Sequence, residues 1–122
     1  MRILLVDDDL LFIRIVSTLL ASNSGPIDGV YSGDNGLKLL RTNKYDLLIT
    51  DLMMEGMSGV DLIRLALNEG LIDSRRVLVM TGEPTNSPHL IWLRKQGIYT
   101  IHKPFSAAEF HEALTFVWPQ TG

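Results

Sequence analysis

The chain has 122 residues, no cysteine, and a formal net charge of -3 with both signs spread along its length. That length fits one domain with a core of its own; the missing cysteines exclude disulfides and thiolate metal sites and suit a reducing compartment. The mild acidity disfavours nucleic acid. No apolar stretch could span a bilayer, and a first strand starting at Arg2 leaves no room for a secretory signal, so a cytoplasmic single domain is expected.

In chain order, the apolar run Leu4-Leu5-Val6 predicts a strand that ends in Asp7-Asp8-Asp9. Residues 9–22 predict a helix, stopped by Asn23-Ser24-Gly25-Pro26. Residues 27–32 predict a shorter, more polar strand at an edge, followed by an amphipathic helix over 33–44. Leu47-Leu48-Ile49-Thr50 predicts a strand ending at Asp51, and residues 58–69 a helix with Ser58 as N-cap and Gly70 as stop. Val77-Leu78-Val79-Met80 ends at Thr81-Gly82; Ser87-Pro88 opens a fourth helix. Tyr99-Thr100-Ile101-His102 ends at Lys103-Pro104, and a capping box at Ser106-Ala107-Ala108-Glu109 opens a fifth helix running towards Trp118 and halting at Pro119. Five βα units with unalternating apolar strands predict a right-handed, doubly wound parallel sheet.

In such a sheet the ligand crevice lies beyond the carboxyl ends of the strands. There these strands would gather carboxylates, a hydroxyl and an ammonium, a set suited to magnesium-assisted phosphoryl chemistry. Taken singly each residue has a bland reading: Asp51 as a turn cap, Lys103 as a snorkelling surface lysine, Thr81 as an ordinary β-branched strand residue. The three N-terminal aspartates could simply favour a helix dipole, the reading preferred for Asp9. Yet two carboxylates about 5 Å apart repel by roughly 3 kcal/mol at an effective dielectric of about 20. A shared crevice therefore calls for a cation or for raised pKa values. His89, His102 and His111 lack metal-ligand spacing.

Four segments in order, residues 2–9, residues 51–59, Met80-Thr81-Gly82 and Lys103-Pro104-Phe105, resemble the receiver domain of bacterial two-component response regulators. The resemblance runs over the whole chain, 1–122. It implies the chemotaxis-type, flavodoxin-like fold with strand order 2-1-3-4-5. It further implies Asp51 as phosphoacceptor; Asp8 and Asp51 binding Mg2+ directly; Asp7 binding it through a water; and the Met53 backbone carbonyl completing the set. Lys103 would contact the acceptor and then the phosphoryl oxygens, Thr81 would hydrogen-bond the phosphoryl group, and Pro104 would follow a cis peptide. The partners implied are a sensor histidine kinase or histidine phosphotransfer domain as donor, and a downstream target or second copy on the helix 4–strand 5–helix 5 face.

Three departures stand out. Thr100 occupies the position of the family's usual switch aromatic, with Tyr99 one place earlier; Glu55 replaces the usual proline; and Met53 sits where a side chain can screen attacking water. The first predicted helix carries more apolar residues than one core stripe needs, an excess assigned to donor docking or to burial by neighbouring helices. Leu90-Ile91-Trp92-Leu93 cannot all face the sheet, which makes Trp92, extended by Trp118, a candidate interface anchor. Two rival functions are a pseudo-receiver binding module, against which the complete acidic set and Lys103 argue, and an aspartyl-phosphate phosphatase, which wants an acid where Met53 stands.

Overall fold

The computed structural model describes residues 1–23 and 25–117. Five strands, β1 (Ile3–Val6), β2 (Ile27–Val30), β3 (Leu47–Asp51), β4 (Val77–Thr81) and β5 (Tyr99–His102), form one parallel sheet in the order β2-β1-β3-β4-β5. Five helices alternate with them: α1 (Leu10–Leu19), α2 (Gly33–Thr42), α3 (Gly59–Asn68), α4 (Pro88–Lys95) and α5 (Ala107–Val117). This is the doubly wound, flavodoxin-like α/β architecture expected from the alternation, with β2 at an edge.

Strand parity divides the core into two layers, because successive strand side chains point to opposite faces. Leu4, Val6, Leu48, Val77 and Val79 pack with α2, α3 and α4. Ile3, Leu5, Leu47, Ile49, Leu78, Met80 and Ile101 pack with α1 and α5. β1, β3 and β4 are buried along their whole length, which explains why they read as unbroken apolar runs. None of the described helices is long and apolar enough to cross a membrane.

The helix starts follow their capping residues. Asp9, Ser32, Ser58 and Ser87 each accept a backbone N–H of the first turn. Ser106 and Glu109 form a reciprocal box at α5, at 3.1 and 3.0 Å. The ends differ from expectation. α1 stops at Leu19 rather than residue 22, because the chain tightens there: Ala21 N–H bonds Thr18 and Asn23 N–H bonds Leu20. α2 and α3 end two residues and one residue early, and a 3-10 turn at Ser74–Arg76, absent from the sequence reading, leads into β4. Trp118 and Pro119 lie outside the described residues.

Two glycines shape the loop between β3 and α3. Gly56 takes a φ of +79°, in the left-handed region. At Gly59 a Cβ would collide with the Asp51 carbonyl, because the first turn of α3 lies directly against the end of β3 and Gly59 N–H donates to Leu52 O at 2.9 Å. Gly59→Ala is therefore expected to destabilise the fold by about 2 kcal/mol, seen as a lower urea midpoint with an unchanged slope.

Candidate functional site: an acidic pocket at the carboxyl rim

The acidic residues converge because three strands end together. Val6 pairs with Thr50 and Asp51 with Met80, so the residue after β1 stands beside the last residue of β3. Asp7 and Asp51 continue the parity of Leu5 and Ile49, which puts both on the α1 and α5 side of the sheet. Oxygens of Asp7, Asp8 and Asp51 all lie within 4.8 Å of one another. Asp7 and Asp51 are buried, whereas Asp8 is exposed. Three hard oxygen donors at that spacing fit a small divalent cation such as magnesium.

Each carboxylate has further partners. Asp7 Oδ1 accepts the Asp9 N–H at 2.9 Å, Asp51 Oδ1 the Leu52 N–H at 2.8 Å, and Asp8 Oδ2 the Glu55 N–H at 3.2 Å. Lys103 follows β5 with its N–H on Thr81 O at 2.9 Å, and the Lys103–Pro104 peptide is cis. Its ammonium donates to Asp7 Oδ2 at 2.8 Å and stands 3.5 Å from Asp51 Oδ2. Burial is the largest influence on the Asp51 carboxyl and pushes it above its ordinary value; Lys103 opposes this, Asp7 adds to it, and the Leu52 and Met53 N–H groups oppose it.

Thr81 is fully buried at the end of β4, on the opposite parity, and its Oγ1 accepts the Glu83 N–H at 2.9 Å. Glu83, which the sequence reading passed over, ties the β4–α4 loop together. Ser87 Oγ donates to its carboxylate at 2.8 Å, His89 Nδ1 lies 3.0 Å from it, and His102 Nε2 bonds its carbonyl at 2.9 Å. Burial works to raise the Glu83 carboxyl, but the hydrogen bonds from His89 and Ser87 outweigh it and hold the group below its ordinary value. The ring of Phe12 also lies beside Lys103, a contact the sequence does not signal, since there Phe12 is one more member of the apolar excess of the first helix.

Met53 is 61% exposed beside Asp51. On α1, Ile13 and Val16 are buried while Leu10, Leu11 and Ile15 face outward. On α4, Leu90 and Leu93 take the core positions and Ile91 is exposed. Trp92 is half-buried against the core, with the Arg64 guanidinium 5.0 Å from its ring centroid. Tyr99 stacks on Phe116 at 4.8 Å, so the aromatic of β5 packs towards α5, and Thr100 lies on the α4 side with no ring to move.

A sequence profile described as "Response regulator receiver domain" matches residues 3–115. Chemotaxis protein CheY of Pseudomonas aeruginosa is 32% identical over 120 residues, covering 93% of this chain and 93% of its own. Transcriptional regulatory protein DltR of Streptococcus agalactiae is 28% identical over 109 residues, covering 89% of this chain but 48% of its own, so the chain spans about half of that relative's length. The structure of chemotaxis protein CheY4 of Vibrio cholerae superposes with a TM-score of 0.81 at 22% identity, covering 95% of this chain and 97% of that one, a likeness of fold. With a profile match over nearly the whole chain and an acidic pocket at the expected rim, the chain belongs to the response regulator receiver domains, the signalling switches of two-component systems.

Proposed function

We propose that residues 1–122 act as a magnesium-dependent phosphoacceptor, with Asp51 taking a phosphoryl group from a phosphohistidine. Receiver domains are phosphorylated by histidine kinases, and the donor here is a sensor kinase or a histidine phosphotransfer domain. One observation carries the reading: the Lys103 ammonium, 2.8 Å from Asp7 and 3.5 Å from Asp51, bridges the two buried members of the cluster of three carboxylates.

Asp7, Asp8, Asp51 and the Met53 carbonyl would hold the ion. Bound there, magnesium would offset the carboxylate repulsion and the charge of the transferring group. Asp51 Oδ2, the oxygen facing Lys103, attacks phosphorus as the phosphorus–nitrogen bond breaks and its electron pair stays on the imidazole. Lys103 follows the charge onto the phosphoryl oxygens. The Thr81 hydroxyl then donates to one of those oxygens and gives up the Glu83 N–H. That exchange favours a second arrangement of the β4–α4 loop, a population shift driven by contacts present only with phosphate. The apolar excess of α1 at Leu10, Leu11 and Ile15 receives the donor. The α4–β5–α5 face, with Ile91, Phe116 and the border residue Trp92, meets a downstream protein or a second copy.

With acetyl phosphate and magnesium, the wild type is expected to gain the mass of one phosphoryl group and Asp51→Asn none; equal labelling of the two proteins would rule out Asp51 as acceptor. Without magnesium, relief of carboxylate crowding makes Asp51→Asn and Asp8→Asn more stable than wild type, by about 3–6 °C in melting midpoint. Added magnesium stabilises the wild type more than either variant. The pH dependence has a definite sign. The folded protein holds the Asp51 proton more tightly than the unfolded chain, so the Asp51 contribution to stability is lost as pH climbs from about 4 through the raised folded value, and metal-free wild type loses stability relative to Asp51→Asn over that range. Melting curves across that range, without the ion, measure the divergence.

Exposed and apolar, Met53 is placed to hinder water approaching the acyl phosphate. Met53→Asn is expected to shorten the acyl-phosphate lifetime several-fold, followed by loss of label after the donor is removed; an equal or longer lifetime in the variant rejects the shielding role.

A further inference from the structure

Phe12 has no part in the chemistry described above, yet it touches the group that chemistry turns on. Lys103 Nζ stands 3.9 Å from the centroid of the Phe12 ring, and the same nitrogen bonds Asp7 at 2.8 Å. The lysine side chain is only 15% exposed. A cation over an aromatic face is attracted by the ring quadrupole, more strongly where water is excluded. A lysine has four flexible carbons and would otherwise extend its head into solvent.

The ring is itself held in place. Phe12 is half-buried in the first turn of α1, whose N-cap Asp9 also donates its N–H to Asp7. Phe105 lies 6.3 Å from it, centroid to centroid, and stacks at 5.8 Å on Phe110, which is fully buried. This row of rings runs from the core of the α1 and α5 layer to the acidic pocket. Phe105 is also two residues beyond Lys103, so the row fixes both the backbone that carries the lysine and the surface its ammonium rests on.

We propose that Phe12 is a positioning residue for phosphoryl transfer: its ring face keeps the Lys103 ammonium between Asp7 and Asp51, where the incoming phosphoryl oxygens meet it. The inference rests on the reading of Asp51 as phosphoacceptor. Phe12 takes part in no bond change. With acetyl phosphate, the bond from an Asp51 oxygen to phosphorus forms while the phosphorus–oxygen bond to acetate breaks, its electron pair leaving on acetate. Phe12 governs only how often the ammonium is in place when that exchange begins.

Acetyl phosphate is also the right donor for the test, because Phe12 adjoins the exposed Leu11 and Ile15, and a protein donor would report docking as well as chemistry. With it and magnesium, Phe12→Leu is expected to label Asp51 about three- to ten-fold more slowly than wild type, and Phe12→Tyr, which keeps the ring, within about two-fold. In a Lys103→Gln background, Phe12→Leu should cost nothing further. Thermal melts establish that each variant is folded, with Phe12→Met as the second ring-less variant should Phe12→Leu not fold. Equal rates for ring-less and ring-bearing variants, or the same fold-loss with and without Lys103, would overturn the role of Phe12. Failure of the wild type to label at Asp51 would overturn the phosphoacceptor reading instead.

Discussion

Like charge gathered at a sheet rim, with one ammonium bridging its two buried members, is the constraint on which the rest of this structure depends. Asp7 and Asp51 are buried beside each other, and burial alone works against the ionised form of Asp51. Lys103 reaches both, and the backbone supplies further donors from Leu52, Asp9 and Glu55. The cluster stays deficient in positive charge. Two buried carboxylates and a third at the surface therefore form an acidic pocket whose charge a small divalent cation would offset.

The sheet explains how residues so far apart in the chain reach one pocket. Parallel strands all end on the same side, so each strand places its last residue at the rim, and period-two parity decides the face. Asp7, Asp51 and Lys103 share the α1 and α5 side with Leu5, Ile49 and Ile101; Thr81 shares the other side with Val79. Thr81 thus differs from the pocket residues in parity but ends its strand at the same rim, where the β4–α4 loop begins.

Much of this was legible in the residues. Strands buried on both faces leave uninterrupted apolar runs, and caps such as Ser58 and the Ser106–Glu109 box mark helix starts locally. The acidic pocket was legible too, since its members are strand-end residues and the sheet brings such ends together. What escaped depends on contacts between elements. The Arg64 guanidinium on Trp92, the Tyr99–Phe116 stack and the Phe12 ring under Lys103 leave no trace in local spacing. The 3-10 turn and the early end of α1 escaped for another reason: tight i to i+3 bonds close there regardless of the apolar pattern.

Gly59 sets an asymmetry in stiffness. No side chain separates the first turn of α3 from the Asp51 carbonyl, so β3 and α3 are joined backbone to backbone. On the other flank, the loop before α4 is tied to its surroundings largely through side chains, among them the Thr81 hydroxyl, the Glu83 carboxylate and the His102 imidazole. Load applied at the end of β3 therefore meets a rigid abutment on one side and a set of exchangeable tethers on the other. Displacement is channelled towards the compliant flank, which gives the domain a mechanical direction before any partner is bound.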